Sequence, residues 1–92
     1  MRKIPIIVQR ALRCEGIGDM MQQKFFVSKN MQVMDLLYYV RKSLLLPPYE
    51  TLVLMLNNSM PSLNKTMNLL QHEEANKDGI LYFYYTNEVA FG

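Results

Sequence analysis

Hydrophobic and polar positions follow different periods along this chain, and each period predicts an element. Residues 4–12 are dominated by Ile4, Ile6, Ile7 and Val8 and read as a strand. Pro5 cannot donate to a ladder, which places it at the strand start or on an edge. Residues 14–22 hold Gly16 and Gly18 without a sustained period, so they form a loop, and residues 24–28 form a second strand paired with the first as a hairpin. Val33, Leu36, Leu37, Val40 and Leu44 then recur at helical spacing as one apolar stripe, with Asn30 as its N-cap, and Pro47-Pro48 forbids continuation. Residues 51–56 are apolar on both faces, which predicts a central third strand. Asn57, Asn58 and Ser59 turn the chain, since Asn tolerates positive φ. A shorter helix over residues 66–75 turns Met67 and Leu70 inward, although Glu73 and Glu74 in its last turn oppose the helix dipole. Asp78-Gly79 turns into a last buried strand over residues 80–85, and residues 87–92 form a flexible tail.

The order β-β-α-β-α-β predicts an α+β domain, a mixed four-stranded sheet with one main crossover helix and one short helix. Where the crossover returns beside the first strand, the layout is similar to the ubiquitin-like β-grasp. Ninety-two residues, half of them hydrophobic and a fifth charged, suit one domain spanning 1–92 with one modest core. No apolar run reaches the length of a membrane span, and no apolar block marks a signal peptide. The lone Cys14 leaves no partner for an intrachain disulfide and points to a reducing, cytoplasmic compartment. The eight methionines fill core gaps or line an adaptable surface.

Charge is unevenly spread. Residues 1–46 carry eight basic and three acidic side chains, and residues 47–92 carry two basic and five acidic ones. A basic first half favours an acidic partner. Metal binding is not expected, because His72 is the only histidine and no Cys/His spacing supports a site. Cys14 and His72 lack the context of a nucleophile and its base. Gly16-Ile17-Gly18 lacks the third glycine and the helix of a phosphate cradle, so no cofactor is expected. Basic residues interleave with Phe25 and Phe26, but a core role in the strand explains those rings as well, and no nucleic acid is expected. Gly92 needs no such neighbours. A terminal carboxylate can be adenylated, passed to a thiol and handed to an amine, and glycine puts no β-carbon in the way.

Four blocks carry a family resemblance: Lys3-Ile4-Pro5-Ile6-Ile7, then Tyr39-Val40-Arg41-Lys42-Ser43-Leu44-Leu45-Leu46-Pro47-Pro48, then Leu56-Asn57-Asn58-Ser59-Met60-Pro61, and finally Asp78-Gly79-Ile80-Leu81-Tyr82 with Phe91-Gly92. In joint order and spacing the chain resembles the GABARAP-type autophagy modifiers, the autophagy-related protein 8 family, over nearly its full length. The resemblance implies a non-enzymatic modifier, cytoplasmic with a lipidated pool on autophagosome membranes. Activating and conjugating enzymes would join its terminal glycine, here Gly92, to phosphatidylethanolamine.

The resemblance also implies that receptor peptides with acidic flanks add a strand to the second strand. One anchor would enter a pocket of Pro5, Ile7, Lys24, Phe26 and Ile80. The other would enter a pocket of Phe25, Val27, Met31, Leu36 and Tyr39, with Arg41 meeting the acidic flank. For Leu36, ordinary core packing is at least as good an explanation. Only residues 1–3 precede Ile4, where family members usually carry two short helices, so part of the first pocket's wall is expected to be missing. Ser28 stands where the family usually has proline, and with nothing after Gly92 either no processing protease is needed or the sequence is that of the mature form. Two other readings remain open: a modifier of the autophagy-related protein 12 type, joined to a protein lysine, and a β-grasp interaction module that is never conjugated.

Overall fold

The computed structural model describes residues 2–87, so the expected conjugation residue Gly92 and all of the tail beyond Asn87 lie outside the described residues. β1 (Lys3–Arg10) buries every second side chain, Ile4, Ile6 and Val8, and leaves Pro5 and Ile7 half-buried on the opposite face. It pairs antiparallel with β2 (Lys24–Ser28) and parallel with β4 (Leu81–Thr86), while β3 (Val53–Leu56) pairs antiparallel with β4. The sheet order is therefore β2-β1-β4-β3, with the last strand returned beside the first, as in the β-grasp. Val8 N–H donates to Gln23 O, so by alternation the position of the missing Pro5 donor faces the β4 side. The ladder with β4 begins only at Ile6, and the proline therefore leaves no gap.

Two helices cover one face. α1 (Val33–Ser43) buries Val33, Leu36 and Val40, with Leu37 and Leu44 packed beside them, and α2 (Met67–Glu74) buries Met67 and Leu70. These meet Leu81, Phe83 and Tyr85 of β4, all fully buried. The two helix starts hold each other through backbone bonds. Val33 and Met34 N–H donate to Lys65 O and Leu63 O, and Met67 and Asn68 N–H donate to Met31 O and Lys29 O. Four N–H groups that helices ordinarily leave unsatisfied are thus paired across the two starts. Glu73 at the end of α2 is offset by an ion pair with Lys65 (2.9 Å). Asn57 Nδ2 donates to the Glu74 carbonyl beside it.

Two expectations are corrected. β3 lies at an edge rather than the centre: its apolar character on both faces reflects Leu54 and Leu56 in the core and Val53 and Met55 half-buried on the far side. The N-cap of α1 is Gln32, not Asn30. The Asp35 carboxylate reaches back to accept the Gln32 N–H at 3.0 Å, whereas Asn30 sits in the preceding turn, its N–H bound to Ser28 Oγ. Strand and helix ends otherwise fall within two residues of expectation.

α1 ends in a Schellman turn, with Leu45 N–H on Lys42 O and Leu46 N–H on Arg41 O. The turn into β4 is built around Asp78. Its carboxylate accepts Ile80 N–H at 2.9 Å and the Tyr82 hydroxyl at 2.6 Å, while Gly79 takes a positive φ. The hydroxyl bond first, and the Ile80 N–H second, hold the Asp78 carboxyl below its ordinary range, and the same bond pushes the Tyr82 phenol up. Asp78 then supports the fold above the ordinary aspartate range and loses that support as pH falls through its depressed value. Tyr82 supports it below the ordinary phenol range and loses that support as pH rises through its raised value. Tyr82→Phe should return the Asp78 titration toward ordinary aspartate values in an NMR pH series. An unmoved titration would exclude the hydroxyl as the main cause.

Candidate functional site: an open strand edge

β2 is five residues long and has β1 on one side; among the described residues no strand lies on the other. Because Val8 N–H donates to Gln23 O, alternation makes Ile6↔Phe25 and Ile4↔Val27 the hydrogen-bonded pairs. Phe25 and Val27 therefore spend their backbone groups on β1. Those of Lys24, Phe26 and Ser28 point outward, a row of donors and acceptors suited to an added strand. The Lys24 carbonyl in that row already accepts a bond from Gln22 Nε2 at 2.9 Å.

Side chains divide by the same alternation. Phe26 pairs with Pro5 and Lys24 with Ile7, on the face without helices. Continuing the parallel register back by one residue from Ile6↔Leu81 sets Ile80 beside Pro5. Pro5, Ile7, Lys24 and Phe26 thus share one face in two neighbouring rows, with Ile80 just ahead of β4. Phe26 is 63% exposed, with Lys24 Nζ 5.6 Å from its ring centroid. An exposed phenylalanine forgoes much of the roughly 2–3 kcal/mol that burial would bring, so covering it is a source of binding energy.

On the other face Phe25, Val27 and Met31 are half-buried against the core, and Phe25 meets Tyr39 edge-on at 5.5 Å. Leu36 is different: at 1% exposure it is core and offers no surface to a ligand. Arg41 does not join the group. It follows Tyr39 by two residues, about 200° around the helix, and its guanidinium donates to Pro47 O (2.9 Å) and Pro48 O (3.3 Å). Positive charge at the edge comes instead from Lys3, opposite Ser28, from Lys29 just beyond it, and from Lys24.

Residues that sequence reasoning missed lie farther across the same face. Met55, Tyr82 and Tyr84 line a shallow cleft of about 500 Å³ with Ala11, Asn57, Asn58 and Asn76. The alternation within β4 was the available signal: Leu81, Phe83 and Tyr85 point inward, and Tyr82 and Tyr84 point outward. Cys14 is fully buried, and His72 is exposed on α2. Among the described residues no group of three His, Cys, Asp or Glu side chains could hold a metal, and no helix is long and apolar enough to cross a membrane.

Comparison with known proteins bears on this geometry. Residues 1–92 match the family model described as "Autophagy protein Atg8 ubiquitin like". The chain is 30% identical over 90 residues to Autophagy-related protein 8 of Saccharomyces cerevisiae (strain YJM789), which covers 98% of this chain and 76% of that protein. It is 32% identical to Autophagy-related protein 8B of Oryza sativa subsp. indica, over 98% of this chain and 75% of that one. It is 31% identical to Autophagy-related protein 8d of Arabidopsis thaliana, over 98% and 74%. Matched from end to end and folded as a mixed four-stranded sheet under two helices, the chain belongs to the Atg8 family of ubiquitin-like autophagy proteins.

Proposed function

We propose that this protein is a conjugated modifier: its Gly92 carboxylate is joined to the amine of phosphatidylethanolamine, and its β2 edge takes receptor peptides. The observation that carries the reading is that the family match extends to residue 92, so the terminal glycine lies inside the matched range. An activating enzyme adenylates the carboxylate with loss of pyrophosphate. A cysteine thiolate displaces AMP, the thioester moves to a conjugating enzyme, and the lipid amine releases the thiol as an amide forms. Throughout, this protein is the substrate, and the catalysis belongs to its partners. The unconjugated protein is cytoplasmic, and the lipidated pool sits on autophagosome membranes.

The second activity follows from the open edge. A peptide in extended form bonds the outward groups of Lys24, Phe26 and Ser28. Its aromatic anchor packs on Pro5, Phe26 and Ile80, and its aliphatic anchor packs on Phe25, Val27, Met31 and Tyr39. Lys3, Lys24 and Lys29 supply the field for acidic flanks.

Two experiments test these activities separately. With activating enzyme and ATP, the intact chain should form a thioester that resists denaturation and yields to reducing agent, and the chain lacking Gly92 should form none. Thioester formation by the shortened chain would refute conjugation through Gly92. In calorimetric titration with an acidic-flanked peptide carrying both anchors, Lys24→Glu should weaken binding about tenfold. Lys42→Glu, on another face, should change it less than about twofold. Equal effects would refute the edge assignment.

A further inference from the structure

The residue in the left-handed position of the α1 Schellman turn is Leu45 (φ 55°), where glycine is the usual occupant. The turn explains this backbone but not the side chain. A β-carbon is strained at that φ, and Leu45 recovers nothing by packing, being 88% exposed. Strain and exposed apolar surface meet in one residue whose neighbour, Leu46, does pack on the core.

Around Leu45 the helix end is both aromatic and basic. Tyr38, Arg41, Lys42 and Pro48 line a shallow depression of about 500 Å³ beside it. Tyr38 is 63% exposed, with Lys42 Nζ 5.2 Å from its ring centroid, and Tyr49 farther along the loop is exposed too. Tyr38, Arg41 and Lys42 stand at i, i+3 and i+4 on one face of α1, and Leu45 lines the same depression from beyond the helix end.

The backbone here has little to give a peptide. The N–H groups of Leu44, Leu45 and Leu46 are bound to Val40 O, Lys42 O and Arg41 O. The carbonyls of Pro47 and Pro48 accept from Arg41, and neither proline has an N–H. Recognition falls to a protruding leucine, tyrosine rings and fixed positive charge. A protein partner would need a pocket placed for the leucine. A bilayer interface receives it anywhere, keeps tyrosines at headgroup depth and attracts cations when its lipids are anionic.

We propose that the end of α1 and the loop over residues 44–49 form a contact face for an anionic lipid bilayer, with Leu45 inserted and Arg41 and Lys42 at the headgroups. This face depends on neither Gly92 nor the β2 edge, so the unconjugated protein of residues 1–92 tests it. The protein is floated with phosphatidylcholine vesicles, with and without phosphatidylserine. Recovery should require phosphatidylserine, fall about tenfold for Leu45→Asn, and drop to background for Lys42→Glu or in high salt. Asparagine suits the left-handed backbone, so Leu45→Asn should melt no lower than the parent protein. Failure of the parent protein to float with anionic vesicles, or equal flotation of Leu45→Asn, would overturn the proposal. So would Leu45-dependent binding of a soluble acidic, tyrosine-containing peptide with no vesicle binding.

Discussion

The parallel pairing of β1 with β4 is the constraint on which the other features depend. It joins residues near the two ends of the chain, Ile6 with Leu81 through Arg10 with Tyr85. With those strands central, β2 and β3 can only be edges, and the helices must cover the face where Ile4, Ile6 and Val8 meet Leu81, Phe83 and Tyr85. The core cannot close until β4, an interior strand and the last in chain order among the described residues, is in place. Loop 11–23 is fastened to the same strand: the Tyr85 hydroxyl, on a fully buried ring, donates to Gly18 O at 2.7 Å.

The proposed peptide binding rests on what this pairing leaves uncovered. The edge of β2 presents the backbone groups of Lys24, Phe26 and Ser28. The reciprocal bonds between the starts of α1 and α2 hold Met31 in place, and Phe25 against Tyr39 ties β2 to the side of α1. The proposed peptide site is thus made of the core's own elements rather than a separate loop.

Much of this was legible in the sequence because the signals were local. The Val33-to-Leu44 stripe, the Asp78-Gly79 turn, the positive-φ asparagines and the apolar run into β4 each mark one element by side-chain chemistry alone. What escaped depends on neighbours. An apolar run records burial on two faces but not the number of flanking strands, so β3 read as central. Asn30 is a good capping residue in the abstract, but the chain instead starts the helix where the Asp35 carboxylate can reach back to Gln32. Arg41 matched a family position, yet its rotation around α1 and its bonds to the proline loop are facts of three dimensions. The Gln22 bond to the β2 edge and the left-handed Leu45 have no sequence signature, since both arise from backbone geometry at a particular place.

The central claim, that the terminal glycine is the point of attachment to a lipid, is tested most directly by mass spectrometry of the product isolated from cells induced for autophagy. The account predicts a C-terminal peptide whose Gly92 carboxylate is amide-bonded to the ethanolamine of phosphatidylethanolamine. An isopeptide to a protein lysine, or a chain recovered only with a free carboxylate, would contradict it.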